Sequence, residues 1–311
     1  MAVVSLLFRA TGIHASPNDN SLIIYIPAWL FSFLCVVVVG MRVWLRMRTS
    51  VGLGADDYTI LVSLAFAIMT DAVMLHACRH GYGKHLASLT EQQQYESWKA
   101  LYVMQIMYKI SMNLTKASIV LLYLRIFDGI KWFRWTCYAI LAFVASFCTA
   151  VTLATIFQCR PVAAAFDPTL TSGTCIDNRV FWYTNAGVSI GTDVIILAIP
   201  LPLVFSLRIS RLQKAGLTCV FAIGGFVVLT SCLRVTTLEL QLTSPEPLYE
   251  VASTMWTIIE MSVAIGDSSS ALPSAPEDVN YGLVIRKTLE YDIAYSGKAK
   301  ESEVSGPLPM V

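Results

Sequence analysis

The stretch LIIYIPAWLFSFLCVVVVGM, Leu22–Met41, decides the fold. Its centre, Leu34-Cys35-Val36-Val37-Val38-Val39, holds no group that water would solvate. The run meets the roughly 20 apolar residues needed to cross about 30 Å of hydrocarbon. The whole chain shares this bias. Of 311 residues, 56% are hydrophobic and only 14% charged, with a net charge of +1 and a mean hydropathy of +0.62. Soluble domains carry about a quarter charged residues, and a soluble protein this apolar would expose large greasy patches and aggregate. The near-zero charge balance gives nucleic acid no basic field to follow. Eight cysteines are too sparse for a disulfide scaffold in so long a chain. The composition therefore specifies an integral, multi-pass membrane protein whose first partner is the lipid bilayer.

Outward from the first run, further apolar stretches lie at Tyr58–Ala77, Leu101–Leu124, Trp135–Phe157, Phe181–Phe205, Ala215–Thr237 and Leu248–Gly266. Together they predict an all-α, seven-transmembrane helix bundle over residues 22–266. Lys109, Lys116 and Glu260 interrupt the third and seventh runs. The apolar start Ala2–Phe8 is too short and lacks the basic flank of a signal peptide. Residues 1–21 are expected to be a translocated tail, and residues 267–311, rich in Ser, Pro, Glu and Lys, a disordered one. No internal repeat is visible.

Basic residues in short loops set orientation. The loops after runs one, three and five hold Arg46 and Arg48 with Arg42 at the edge, then Arg125, Lys131 and Arg134, then Arg208, Arg211 and Lys214. Their density exceeds that of the other side about threefold, which predicts an outside N-terminus and a cytosolic C-terminus. Cys78, Cys159 and Cys175 then face the oxidising side, where disulfides persist. Cys159 and Cys175 bracket one external loop and are expected to close it, with two free thiols or a Cys78 pairing as alternatives. The sequon Asn113-Leu114-Thr115 falls inside run three and is expected to stay unmodified.

Ionisable groups inside spans are costly, so they pair or line a functional cavity. At about 1.5 Å per residue, Lys116, Asp193 and Glu260 sit near mid-membrane, and Asp71 and Lys109 nearer the outer surface. Lys109 and Lys116 are spaced to share one helix face. The expected partners are Lys116 with Asp193 or Glu260, and Lys109 with Asp71. These five are either structural ion pairs or a ligand site among the second, third, fifth and seventh helices. A retinal Schiff base would need a lysine in the seventh span, and Leu248–Gly266 has none; no cofactor is expected. His76 and His80 stand i, i+4 and with His85 would offer three nitrogens, but loop histidines are usually solvated, so no metal is expected. Gly187 and Gly191, and Gly224-Gly225, suggest close helix contacts. Pro200 and Pro202 end or kink the fifth span, and Trp132 and Trp135 suit an interfacial belt.

In order and spacing, the motifs resemble those of the fungal rhodopsin-like integral membrane proteins, a family that includes receptors related to pathogenesis and a membrane protein of the satratoxin cluster. The resemblance rests on Asp56-Asp57-Tyr58, Gly81-Tyr82-Gly83-Lys84-His85, Lys116-Ala117-Ser118 and Tyr123-Leu124-Arg125-Ile126-Phe127. It continues in Cys159-Arg160-Pro161, Phe166-Asp167-Pro168 and Gly173-Thr174-Cys175, then in Asn185, Thr192-Asp193, Pro200-Leu201-Pro202, Gly224-Gly225, Ser231, Arg234, Trp256 and Glu260. It implies seven helices and an external N-terminus; it does not imply retinal, in keeping with the missing lysine. In one respect the chain departs from the family: Gly266-Asp267-Ser268-Ser269-Ser270 turns polar where the family stays apolar, which predicts a short seventh span.

Three functions fit this reading. One is receptor-like sensing of a small ligand, coupled to a cytosolic signalling partner. Against it, Leu124-Arg125-Ile126 replaces Asp-Arg-Tyr, and the seventh span lacks Asn-Pro-x-x-Tyr. Another is an accessory or transport component of a secondary-metabolite cluster, acting on a metabolite without catalysing a step. A membrane cyclase is disfavoured, because Lys116 would hold Asp193 and Glu260 ionised. The expectation is a protein that is not an enzyme.

Overall fold

A computed structural model describes residues 21–48, 52–127, 130–167, 173–201, 222–237, 248 and 251–270. Residues 1–20 and 271–311 of the expected tails, the basic loop with Arg208, Arg211 and Lys214, Pro202 and the start of the sixth run lie outside the described residues; residues 267–270, expected to begin a disordered tail, are helical. The described helices are α1 (Leu22–Arg48), α2 (Ala55–Arg79), α3 (Glu91–Ile126), α4 (Lys131–Ile156), α5 (Asn178–Ala198), α6 (Ala222–Thr237) and α7 (Ala252–Ser270). Four of them, α1, α2, α4 and α5, are long and apolar enough to cross a membrane. Their outward faces carry large apolar side chains such as Trp29, Phe33, Phe143 and Leu153. Such surfaces are stable against lipid and would be a liability in water.

The central helix, α3, does not share that composition. It packs against α2, α4, α5 and α7 and buries Ser97, Ser111, Asn113, Thr115, Lys116 and Ser118 among its apolar residues. A helix walled in by other helices meets little lipid, so its polar groups face partners instead of hydrocarbon. The closest seam is with α2. There the Ser63 hydroxyl donates to the Ser111 carbonyl at 2.8 Å and lies 2.7 Å from Thr115 Oγ1, and Ser111 Oγ donates back to the Ser63 carbonyl at 3.0 Å. Small side chains here let the two backbones approach.

Several boundaries depart from expectation. Helix α3 begins at Glu91, well before Leu101, because Thr90 and Gln93 form a capping box that starts a polar first turn. Helix α7 runs through the polar Gly266–Ser270 segment, where a break was expected. Ser268 and Ser269 are buried there, and Arg42 donates to the Ser268 carbonyl, so the turn has partners inside the protein. Helix α5 stops at Ala198, just before Pro200. Gly187 and Gly191 make no close approach to other described residues, contrary to the small-residue reading; Gly224 does, since a Cβ there would lie 2.7 Å from Leu197 Cδ1.

Between α4 and α5 the chain forms a two-stranded hairpin, β1 (Cys159–Arg160) with β2 (Thr174–Cys175), in register Cys159↔Cys175. A disulfide joins Cys159 to Cys175, the pairing expected from the loop. Phe166 within this segment packs on Tyr95 and Tyr102 of α3, with ring centroids 5.8 and 5.5 Å away. The turn after α2 is tied to α7: Tyr82 is fully buried with its hydroxyl 2.8 Å from Thr254 Oγ1, and Gly83 N donates to the Leu248 carbonyl. This hairpin end of the bundle is thus closed by covalent, aromatic and hydrogen-bonded contacts. Peptide mapping without reductant should recover Cys159 linked to Cys175. The variant Cys175→Ser should lose about 3 kcal/mol of stability, as for other loops of this size; a linked peptide containing Cys78 would contradict the assignment.

Candidate functional site

In the second half of α3, Lys116 turns toward α5. Its ammonium lies 3.1 Å from Asp193 Oδ1 and donates to the Ser189 carbonyl, Ser189 Oγ and Thr192 Oγ1 at 2.9, 2.9 and 3.0 Å. The expected Lys116–Asp193 pair is therefore formed. Asp193 Oδ2 is buried without a hydrogen-bond partner among the described residues.

Glu260 does not share Lys116. Its carboxylate pairs with the Arg234 guanidinium of α6 at 2.6 Å, accepts from the Tyr108 hydroxyl at 2.8 Å and accepts from Ser231 Oγ. Arg234 also lies over the Tyr108 ring, 5.2 Å from its centroid. Glu260 and Arg234 are almost completely buried, so this knot joins α3, α6 and α7 through a fully desolvated ion pair. Arg234 was legible by the same rule that flagged Glu260, since it falls within the sixth apolar run.

The expected Lys109–Asp71 pair is not formed. Lys109 points instead to α4 and α5, donating to Thr155 Oγ1 at 2.6 Å and lying 4.6 and 5.0 Å from the Phe181 and Trp182 ring centroids. Two aromatic faces and a hydroxyl stabilise its charge where no carboxylate comes within ion-pair distance among the described residues. Asp71 faces α1, where Ser32 Oγ donates to Oδ2, while Oδ1 is buried without a partner among the described residues. The sharing of one face by Lys109 and Lys116 was correct, but that face is opposite α2, so Asp71 is out of reach. Asn113, the first residue of the sequon, is buried and donates to the Lys109 carbonyl.

The largest charge cluster is one the depth rule passed over. At the end of the bundle away from the hairpin, Arg42 contacts Asp56 at 2.7 Å and Asp57 at 2.9 Å. Arg46 contacts both at 2.6 Å, and Arg125 reaches Asp56 at 3.2 Å and Asp57 at 3.7 Å. Arg42 and both aspartates are buried. Arg42 and Arg46 had been read as orienting loop charges; α1 in fact continues to Arg48 and carries them inward at i, i+4. The signal for the cluster was present in the adjacent acids Asp56-Asp57 at a helix start and two arginines one turn apart. Ser118 Oγ donates to the Asp56 carbonyl, and a cavity of about 380 Å³ opens beside Gly54, Asp56, Leu121 and Arg125.

His76 and His80 pack at 4.4 Å between ring centroids; among the described residues no three metal-binding side chains converge.

Comparison with known proteins adds to this geometry. The model of the fungal rhodopsin domain matches residues 41–274. A protein named Receptor GIN3, from Arthrobotrys oligospora, is 26% identical over 93% of this chain and 71% of its own length. A SAT4 family membrane protein from Emericella nidulans is 29% identical over 68% of this chain, which spans 53% of that relative. A polyenoic acids biosynthesis gene cluster protein, Ba17b from Metarhizium anisopliae, is 25% identical over 82% of this chain and 73% of its own length. No solved structure matches.

The Lys116–Asp193 contact can be tested by a mutant cycle. Asp193→Leu should cost about 3–5 kcal/mol by leaving a buried ammonium without its counter-charge, and Lys116→Met a comparable amount. The double variant should recover most of either loss. Additive losses in thermal melts of the detergent-solubilised chain would refute the pairing.

Proposed function

The chain belongs to the fungal rhodopsin domain family, and on that premise we propose that it is a seven-span, receptor-like membrane protein without retinal that senses a small ligand. In this reading the N-terminus and the disulfide-closed hairpin lie outside, and the Asp56–Asp57 end faces the cytosol and a signalling partner. The observation that carries it is the line of polar groups along α3. Lys109 meets α4 and α5, Tyr108 meets α6 and α7 through Glu260, Lys116 meets α5, and Arg125 meets the start of α2.

A ligand competing for Lys109, or for the Asp193 oxygen that has no partner among the described residues, would shift α3 against three helices at once. The shift would reach Arg125 along the same rigid helix. Lys109 favours an anionic group on the ligand, since no carboxylate pairs with it among the described residues. The match to Receptor GIN3 over nearly the whole chain supports this reading.

A second reading has its own support. Relatives named for biosynthesis clusters favour an accessory role in handling a metabolite, with the same buried charges serving a carboxylated product instead of a signal. The two are separated in fungal membranes carrying the full chain. Sensing predicts chain-dependent guanine-nucleotide exchange that falls at least severalfold in Asp193→Asn, with product export unchanged and the variant present at the normal level in the membrane. Loss of export with exchange unaffected would overturn it in favour of the accessory role.

A further inference from the structure

We propose that the exposed face at the start of α4 is a binding site for the headgroup of an anionic phospholipid. The inference does not depend on whether the protein senses or handles a metabolite. Lys131, Arg134, Trp135 and Tyr138 line a cavity of about 250 Å³. Their i, i+3, i+4, i+7 spacing puts them on one helix face. The opposite face is packed: Phe133 and Cys137 are buried, with the Phe127 and Phe133 rings 4.9 Å apart. The basic aromatic face is therefore held outward by the anchoring of its opposite side.

Three observations select lipid as the occupant. Charge complementarity comes first: the face carries two cationic side chains, α4 has no acidic residue in its first turn, and Lys131 makes no ion pair among the described residues. The aromatic content is that of a membrane boundary, where amphipathic rings sit at headgroup level; Trp135 is 76% exposed and Tyr138 48%. Continuity with the hydrocarbon face completes the set. Below Tyr138 the same side of α4 reaches Leu153, roughly five turns from Trp135 and about half exposed, on a helix long and apolar enough to span a membrane. A soluble phosphate would use only the cations. A phospholipid uses the whole strip, with its phosphate on Lys131 and Arg134, its glycerol region against Trp135 and Tyr138, and its acyl chain along the apolar face. Basic pockets at helix ends are a recurrent means of recognising acidic headgroups.

The test places the full chain in nanodiscs of phosphatidylcholine with and without phosphatidylserine, extracts it in mild detergent and quantifies retained lipid by mass spectrometry. Phosphatidylserine should be enriched severalfold over its share in the disc. The enrichment should vanish in Lys131→Gln/Arg134→Gln, persist in Lys131→Arg/Arg134→Lys, and persist in the control Lys99→Gln/Arg179→Gln, which removes equal charge elsewhere. If the double glutamine variant fails to insert, the single exposed change Lys131→Gln should still reduce enrichment measurably. Equal retention of both lipids, enrichment unaffected by either glutamine variant, or displacement by inorganic phosphate at matched ionic strength would each overturn the proposal.

Discussion

Two neighbouring carboxylates, Asp56 and Asp57, fix one end of this protein. Charges in a low-dielectric interior are tolerated only when paired and hydrogen-bonded, and here three guanidiniums from two helices converge on two acids of a third. Such a cluster need not add net stability, because desolvation offsets much of the attraction; removing one member, however, leaves the others buried and uncompensated. Its effect is to specify position. Arg42 also holds the Ser268 carbonyl of α7 and Ser118 of α3 holds the Asp56 carbonyl, so four helices share one register. Gly54 belongs to the same constraint. A Cβ there would fall 2.4 Å from both Arg125 Nη1 and Asp56 Oδ1, so any side chain would push the arginine from its acid.

That fixed end makes sense of α3, whose composition is otherwise puzzling for a membrane protein. At about 1.5 Å per residue, a helix from Glu91 to Ile126 is roughly 54 Å long, well beyond the hydrocarbon thickness. Its first turns are polar because they stand beside the disulfide-closed hairpin, where Phe166 packs on Tyr95 and Tyr102. Its middle is polar because its partners are helices that answer each group with a hydroxyl, a carboxylate or a ring. The helices around it carry the apolar surface. Lipid solubility and internal chemistry are thus divided between different helices.

This division explains what the sequence revealed and what it hid. The helices of the shell were readable from run length, since lipid-facing composition is a local property. Depth along the helices is calculable from topology, and it brought both Asp193 and Glu260 level with Lys116; the structure pairs Lys116 with Asp193 and gives Glu260 to Arg234. The partner of Lys109 was not readable, because depth leaves the direction around the helix axis undetermined, and that direction turns Lys109 away from α2. The Arg42, Arg46 and Arg125 contacts were hidden for another reason. Arginines near helix ends look like loop charges until the helix is known to continue past them, as α1 does to Arg48. The polar close of α7 misled in the same way: Gly266–Ser270 resembles a helix end in isolation, yet Ser268 and Ser269 are buried.

The buried charges also differ in how firmly they are held. The cost of displacing a charge rises with the number of partners it must leave. Asp56 answers three arginines, and Glu260 an arginine, a tyrosine and a serine. Lys116 has one carboxylate and neutral oxygens. Among the described residues Lys109 has a hydroxyl and two rings, and Asp71 one serine. Along α3 the groups are therefore unequally held: Arg125 shares two acids and Tyr108 is tied to the Arg234–Glu260 pair, while Lys109 beside it has only neutral partners among the described residues. A bundle built this way is stiff where its register is set and responsive where its charges are least answered. Any group that brings a compensating charge to Lys109 meets the least answered buried cation described on α3.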